Sequence, residues 1–279
     1  MSDFLGRIVN ASRSRLDQAR AREPLLTLRS RARDLQPPPA LQIHRDFGLI
    51  AELKLRSPAL GRLENGSASP ASRVTAYAEG GAMAVSVLTE PSEFHGDLAH
   101  LEAAVMALRP LGIPVMRKDF LVDPYQLYEA RAAGAGGVLL IVRLLSRDLL
   151  TEMVDCAREL GLFVLLEAFD GADIARAATE ALPSRDKARS PPILIGVNCR
   201  DLRTLEVQPR RFRDLAPLLP QGVAHVAESG ISTPEECKDA ARMGYKVALV
   251  GSALMTAGDP AQMIRAMITA GREAAWTCW

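Results

Sequence analysis

From Gly48 onward, short apolar runs alternate along the chain with polar loops and with stretches that have helical spacing. The apolar runs are continuous, as in parallel strands that are covered on both faces. Their starts are 23 to 35 residues apart, which is the length of one strand plus one helix. The pattern therefore predicts eight strands, at 48–53, 83–88, 114–116, 137–142, 162–166, 193–197, 223–227 and 247–251.

Helix-start signals stand between these runs. Ser146 precedes an apolar stripe, and Thr233 and Glu236 have the spacing of a capping box. Eight strands that are each followed by a helix predict a closed (β/α)8 barrel, with an open doubly wound sheet as the alternative. An open sheet often has a glycine-rich loop that opens a helix, whereas the glycines at 134–137 precede a strand. The pattern favours the barrel.

The first part of the chain has a different pattern. Apolar residues recur at helical spacing between arginines, and the prolines at 37–39 then mark a linker. We predict one (β/α)8 barrel domain over residues 1–279, with 1–45 as an N-terminal helical extension that caps one end. The polar, proline-rich stretch 183–192 is predicted to be a surface excursion.

Composition and charge argue against several classes of function. The net charge of +1 indicates no nucleic-acid partner, and no apolar run approaches the roughly 18 residues of a membrane helix. The first residues lack the apolar block of a signal peptide. The four cysteines are scattered, which indicates free thiols and a cytoplasmic protein. The four histidines have no ligand spacing, so we expect no metal site.

Charged residues follow several predicted strands, at the end where barrel enzymes place catalytic groups. Lys118 is expected to be partly desolvated, which would lower its pKa and make it a proton donor. A surface ion pair with Asp119 is the alternative. A single charged residue at such a position is more often a solvated or ion-paired surface residue, but several of them at one rim indicate an active site. The group comprises Glu52, Lys54, Lys118, Glu167, Asn198, Arg200, Glu228 and Ser229.

Small residues follow the last two strands, where barrels bind phosphate. The pairs Ser229–Gly230 and Gly251–Ser252 would let backbone N–H groups approach an anion. Ser57, after the first strand, could add a hydroxyl from across the mouth. Tight turns that need glycine are the alternative. The pattern predicts a small phosphorylated substrate.

A resemblance to the indole-3-glycerol phosphate synthase family is carried, in chain order, by the segments IAELKLRSP, SVLTEPSEFHG, PVMRKDFLVDPYQLYEARAAG, LLEAFD, IGVNCRDL, AESGI and LVGSALM. It implies a (β/α)8 barrel with an N-terminal helical extension. It also implies conversion of 1-(2-carboxyphenylamino)-1-deoxyribulose 5-phosphate to indole-3-glycerol phosphate. This carboxy-lyase reaction of tryptophan biosynthesis releases CO2 and water without a metal or organic cofactor. Association with neighbouring tryptophan-pathway enzymes is a further candidate interaction.

The resemblance also implies roles for individual residues. Lys118 matches the general acid that protonates the substrate ketone, Lys54 the cation that holds the substrate carboxylate, and Glu167 the general base. The remaining matches are Glu52, Asn198 and Glu228 as orienting and pKa-tuning neighbours, Arg200 and Ser229 as substrate-lining residues, Phe94 and Phe120 as an aromatic sandwich, and Ser57, Gly230, Gly251 and Ser252 as phosphate contacts.

The sequence departs from the family pattern without losing a proposed proton-transfer group. We therefore expect an active enzyme with altered turnover or substrate preference. The departures are Leu55, Ala59 and Leu60 in the first loop, Asp97, Cys199 and the pair Ala168–Phe169.

Two other functions stay open. A sugar-phosphate isomerase of the same pathway would use a cysteine–aspartate pair near the first and sixth strands, but the first strand offers Glu52 and Lys54. A non-catalytic paralogue that binds a phosphorylated ligand would need none of Lys54, Lys118 and Glu167. Their presence favours the synthase. In the tail, Trp276 and Trp279 either dock on the barrel or mark a contact surface.

Overall fold

The computed structural model describes residues 3–43, 46–58, 60–63, 69–182, 191–202 and 204–276. It contains a closed barrel of eight parallel strands, in which each strand pairs with its neighbours in chain order and the last pairs with the first. The predicted (β/α)8 barrel is confirmed. The strands are β1 (Gly48–Leu53), β2 (Ala84–Leu88), β3 (Val115–Lys118), β4 (Gly137–Ile141), β5 (Phe163–Ala168), β6 (Ile193–Asn198), β7 (Ala224–Glu228) and β8 (Val247–Val250).

Helices surround the barrel and begin at the predicted signals. The Ser146 side chain accepts a hydrogen bond from the N–H of Leu149, and Thr233 and Glu236 form a capping box. A short antiparallel pair, Arg56–Ser57 with Gly61–Arg62, follows β1. The helices are α1 (Asp3–Arg22), α2 (Leu25–Asp34), α3 (Pro70–Glu79), α4 (Pro91–Phe94), α5 (Leu98–Leu108), α6 (Pro124–Ala132), α7 (Arg147–Glu159), α8 (Gly171–Ala181), α9 (Arg210–Leu215), α10 (Pro234–Arg242), α11 (Ser252–Thr256) and α12 (Pro260–Trp276).

Side chains of each strand point alternately into the barrel and out towards the helices. Ile50, Met116 and Leu165 lie in the interior cluster, whereas the residues beside them pack under the helices. Two residues further along these three strands, and two beyond Val226 in β7, the next inward position carries a charge. The interior therefore changes from apolar to charged at the carboxyl ends of the strands, where the inward residues include Glu52, Lys118, Glu167 and Glu228.

Four strands extend further at their carboxyl ends than the apolar runs predicted. In β3 the ladder continues to Lys118, which pairs with Leu88 of β2. In β5 it continues through Glu167, which pairs with Gly196 of β6. A charge ends an apolar run in the sequence, but it does not end backbone pairing when the side chain faces a polar cavity. The charged side chains are consequently held by the sheet itself.

The N-terminal extension contacts both ends of the barrel, which corrects the prediction that it caps one. At the carboxyl end, the Ser12 hydroxyl of α1 donates to the carbonyl oxygen of Phe120 at 2.6 Å. Alongside the barrel, α2 packs against α6, and Arg131 donates to the carbonyl oxygen of Leu35 at 2.7 Å. At the amino end, Leu41 joins the interior cluster. The extension reaches both ends because α2 runs along the outside of α6.

Some predicted features lie outside the described residues. These are Ala59 in the first loop, most of the excursion 183–192, the side chain of Trp276, and Trp279. Pro191 and Pro192 are described and lead directly into β6.

Candidate active site

A cavity of about 410 Å³ opens at the carboxyl ends of the strands. The charged side chains that point into the barrel at these strand ends lie at the bottom of the cavity. All the residues predicted from the sequence to form the site line this cavity. They are Glu52, Lys54, Ser57, Phe94, Lys118, Phe120, Glu167, Asn198, Arg200, Glu228, Ser229, Gly230, Gly251 and Ser252.

Lys118 is the centre of a buried ion-pair cluster. Its Nζ lies 3.1 Å from Oε2 of Glu167 and 3.2 Å from Oε2 of Glu228. Asn198 donates from Nδ2 to the other oxygen of Glu167 at 3.1 Å. Four strands, β3, β5, β6 and β7, therefore contribute one side chain each to a single hydrogen-bonded group.

The pKa of Lys118 is raised, not lowered as the sequence predicted. Burial alone would lower it, but electrostatic interactions with the carboxyl groups of Glu167, Glu228 and Glu52 outweigh burial. The prediction counted desolvation without the carboxylates that other strands bring to the same point. Asp119 is not its partner, because the Asp119 carboxylate accepts hydrogen bonds from Arg15 and Arg117 instead. Lys118 is thus a protonated ammonium in the resting site.

Glu52 and Lys54 form a second ion pair, with Nζ of Lys54 2.9 Å from Oε1 of Glu52. Burial opposes ionisation of Glu52, but Lys54 and Lys118 outweigh it and hold the pKa of this carboxyl below its ordinary value. Gly251 lies against this pair, and a Cβ there would collide with the Glu52 carboxylate. Close packing on the pair is therefore one reason for glycine at this position.

The predicted phosphate residues lie together on one side of the cavity. Ser229 and Gly230 both have left-handed backbone conformations, with φ of 64° and 74°. Such a conformation is strained for serine and ordinary for glycine. Ser252 begins the short helix α11, and Ser57 is buried on the loop after β1. The turn at 229–230 needs this backbone shape whether or not it also meets an anion.

The two predicted ring-binding residues contact each other. The ring centroids of Phe94 and Phe120 are 6.3 Å apart and the planes are tilted by 35°. An aromatic ring between two others needs roughly 7 Å of separation, twice the packing distance of carbon atoms. Insertion of a substrate ring therefore requires these side chains to move apart, and the sandwich stays a prediction.

Several residues of the site were not identified from the sequence. Phe4 of α1 lines the cavity. Arg15 of α1 contacts Glu90 at 3.3 Å and Asp119 at 2.6 Å. Glu90 in turn accepts hydrogen bonds from the first N–H groups of α4, the helix that carries Phe94. The available signal was the run of arginines in α1, but its partners lie far away in sequence.

The departures from the family pattern have structural explanations at three positions. Asp97 caps α5 by accepting a hydrogen bond from the N–H of Ala99 at 2.8 Å. Cys199 is fully buried. Phe169 packs beneath Arg143, whose guanidinium carbon lies 4.4 Å from the ring centroid. In the first loop, Leu60 is exposed and lines the cavity mouth.

Within the described ranges, no group of three or more His, Cys, Asp or Glu residues is arranged to hold a metal ion. Among the helices described there, none has the length and apolar character needed to cross a membrane.

Comparison with known proteins gives the family. The model of the family "Indole-3-glycerol phosphate synthase" matches residues 5–267. The chain belongs to the indole-3-glycerol phosphate synthase family. A synthase of this family from a Parafrankia species is 44% identical over 227 residues, which cover 81% of this chain and 80% of that protein. One from a Nocardioides species is 43% identical over 263 residues, covering 93% and 96%. Membership makes this chain a carboxy-lyase of tryptophan biosynthesis, as predicted.

Solved structures of other barrel proteins are similar to this family member in fold alone. The 3-hexulose-6-phosphate synthase from Salmonella typhimurium aligns with a TM-score of 0.59 at 15% identity, over 82% of this chain and 100% of that one. Thiamine phosphate pyrophosphorylase from Pyrococcus furiosus aligns with a TM-score of 0.58 at 15% identity, over 82% and 96%.

Proposed function

We propose that this member of the indole-3-glycerol phosphate synthase family carries out ring closure, decarboxylation and dehydration of 1-(2-carboxyphenylamino)-1-deoxyribulose 5-phosphate in the cavity at the strand ends. The observation that carries the proposal is the Lys118 ammonium, held between Glu167 and Glu228 at the bottom of a cavity that also contains an ion-paired Lys54.

Ring closure needs a proton donor at the substrate ketone while the aryl carbon attacks it. Lys118 is the donor in this proposal because it is protonated and its side chain is 17% exposed, so that one face remains open to the cavity. Its raised pKa makes it a weak acid in the resting site. A substrate that moves Glu167 or Glu228 away from the ammonium would lower that pKa and make the proton easier to transfer.

The later steps use the second ion pair and Glu167. The substrate carboxylate, lost as CO2, is positioned by Lys54, whose side chain is 14% exposed. Glu167 removes the proton from the methylene carbon, and the Lys118 ammonium protonates the hydroxyl so that it leaves as water. Asn198 holds Glu167 in place. Glu52 keeps Lys54 oriented towards the cavity.

Substrate binding is assigned to the remaining lining residues. Ser57, Ser229, Gly230, Gly251 and Ser252 meet the phosphate, where backbone N–H groups and hydroxyls are the available donors. The aryl ring lies between Phe94 and Phe120 once these have separated, and Arg200 lines the substrate between the two ends.

A non-catalytic ligand-binding function is the second candidate. The buried charges disfavour it, because a phosphate site needs none of the cluster of Lys118, Glu167 and Glu228, and burying such a cluster has a desolvation cost. An isomerase is also disfavoured, since Glu52 in β1 and Lys54 directly after it stand where its acid–base pair would begin.

The test is turnover by purified protein without added metal, followed by the fluorescence of the indole product and by CO2 release. Both signals are expected at neutral pH. A protein that binds a reduced, unreactive substrate analogue but forms no indole would contradict the enzymatic function and support the ligand-binding one. An isomerised product without CO2 release would instead support the isomerase.

Two properties of the protein's surroundings belong to the proposal. The cytoplasmic location rests on its cysteines, of which Cys156, Cys199 and Cys237 are buried free thiols. Association with neighbouring tryptophan-pathway enzymes rests on the pathway alone. Co-sedimentation of the purified enzymes tests it, and independent sedimentation would contradict it.

A further inference from the structure

The two carboxylates on Lys118 are not equally well hydrogen-bonded. Glu167 accepts from Lys118 at one oxygen and from Asn198 at the other, each at 3.1 Å. Glu228 accepts from Lys118 at 3.2 Å, but its Oε1 is buried and has no hydrogen-bond partner among the described residues. An unpartnered oxygen is far more costly on a charged carboxylate than on a neutral one. The asymmetry therefore favours a charged Glu167 and a neutral Glu228.

Among the residues that the structure describes, Lys118 is the one cation that forms an ion pair with Glu228. Lys118 faces it from β3 and Glu167 from β5, the buried thiol of Cys199 follows the neighbouring strand β6, and on the other side β8 contributes Leu249. A Cβ on Gly196 would overlap the Glu228 carboxylate, so this carboxylate packs directly on the backbone of β6. Burial raises the pKa of Glu228, Lys118 opposes the rise, and Glu167 adds to it.

The proposed reaction consumes one proton in each turnover. The ketone oxygen leaves as water and so needs two protons, and the methylene carbon releases one. The carboxylate leaves as CO2, which returns its bonding electrons to the ring and releases no proton. The second proton on the departing oxygen must therefore come from the protein, and ultimately from solvent.

We propose that Glu228 is a carboxylic acid in the resting site and supplies, through Lys118, the proton that the reaction consumes. Lys118 gives its proton to the ketone oxygen as the carbon–carbon bond forms, which leaves a neutral amine. The Glu228 proton then passes to that amine across the 3.2 Å contact, restoring the ammonium and leaving a carboxylate. In the dehydration step the ammonium gives the second proton to the departing oxygen, and Glu167 passes the methylene proton back to Lys118 across their 3.1 Å contact. Solvent reprotonates Glu228 after the product leaves. This inference rests on the proposed function and makes Glu228 a proton-holding residue instead of a passive neighbour.

The first test is infrared spectroscopy of the ligand-free protein at neutral pH. Wild type is expected to show the C=O stretch of a buried carboxylic acid, which disappears in Glu228→Gln. Glu228→Asp, which keeps an acid with one methylene less, is expected to show the stretch at a shifted frequency. It serves as the second variant if Glu228→Gln does not fold.

The second test is turnover. Glu228→Gln keeps the neutral shape but holds no transferable proton, so kcat is expected to fall by about ten- to a hundredfold with KM changed by less than roughly threefold. Glu228→Asp is expected to recover part of kcat. An active wild type without the stretch, a stretch that remains in Glu228→Gln, or wild-type kcat in Glu228→Gln would each overturn the inference. Absence of turnover in wild type itself overturns the proposed function instead.

Discussion

Gly196→Ala tests whether the position of the Glu228 carboxylate matters to the chemistry. A Cβ at this position would lie 2.9 Å from Cδ of Glu228 and 3.0 Å from Cδ1 of Leu165. Carbon atoms pack at roughly 3.5 Å, so the Glu228 carboxyl has to move by about 0.6 Å or more. Overpacking of this kind costs about 1 to 3 kcal/mol of unfolding free energy, which lowers Tm by a few degrees.

The same displacement alters the 3.2 Å contact between Lys118 and Glu228. Because misplacement of catalytic groups by about 1 Å reduces rates up to a hundredfold, we expect kcat of Gly196→Ala to fall by about tenfold. KM is expected to stay nearly constant, since the phosphate and ring contacts are elsewhere.

Gly258→Ala is the matched control for steady-state kinetics and thermal unfolding, since a Cβ on Gly258 meets nothing within 4 Å. It should resemble wild type in both assays. Wild-type kcat and Tm in Gly196→Ala would refute the reasoning, because the carboxyl would then have room to shift without consequence.

Three further predictions concern the periphery and the pH dependence of the site. Arg15→Ala removes the contacts to Asp119 and Glu90. We expect the unfolding free energy, measured by denaturant titration, to fall by about 1 to 2 kcal/mol and KM, measured by steady-state kinetics, to rise. An unchanged KM would contradict the coupling of α1 to the α4 helix that carries Phe94. Phe94→Leu removes one ring of the tilted pair, and KM should rise about three- to tenfold with little change in kcat; a loss confined to kcat would argue against ring binding. Glu228 has a raised pKa in the folded state, so the folded protein binds more protons than the unfolded chain. Wild type therefore loses unfolding free energy as pH rises from the unfolded pKa of about 4.3 to the folded one. Glu228→Gln should gain unfolding free energy relative to wild type across that window, and a difference independent of pH would refute the prediction.

The sequence predicts the barrel and the site residues for one physical reason. Strands covered on both faces are continuous apolar runs, and a parallel barrel brings the ends of all such runs to one rim. The sequence therefore predicts that polar residues at the ends of these runs come together, and this prediction does not require the packing to be known. Strand alternation then places Glu52, Lys118 and Glu167 inside, two residues beyond Ile50, Met116 and Leu165.

Features that depend on distant partners were not predictable in this way. The sign of the Lys118 pKa shift depends on Glu167 and Glu228 from other strands. Arg15 meets Asp119 across 104 residues of sequence, and no local pattern fixes where α1 lies. For the same reason, the extension's path to both ends of the barrel follows from the packing of α2 on α6, which a helical pattern alone leaves undetermined.

The central claim is that Lys118 is the proton donor for ring closure, and Lys118→Met tests it most directly. Methionine keeps the length of the side chain and removes the ammonium. We measure kcat by indole fluorescence and affinity with an unreactive substrate analogue. The account predicts a loss of kcat of at least about a hundredfold, with the affinity for the analogue retained within roughly threefold. A Lys118→Met enzyme that keeps kcat within tenfold of wild type, or that loses analogue binding in proportion to kcat, would contradict it.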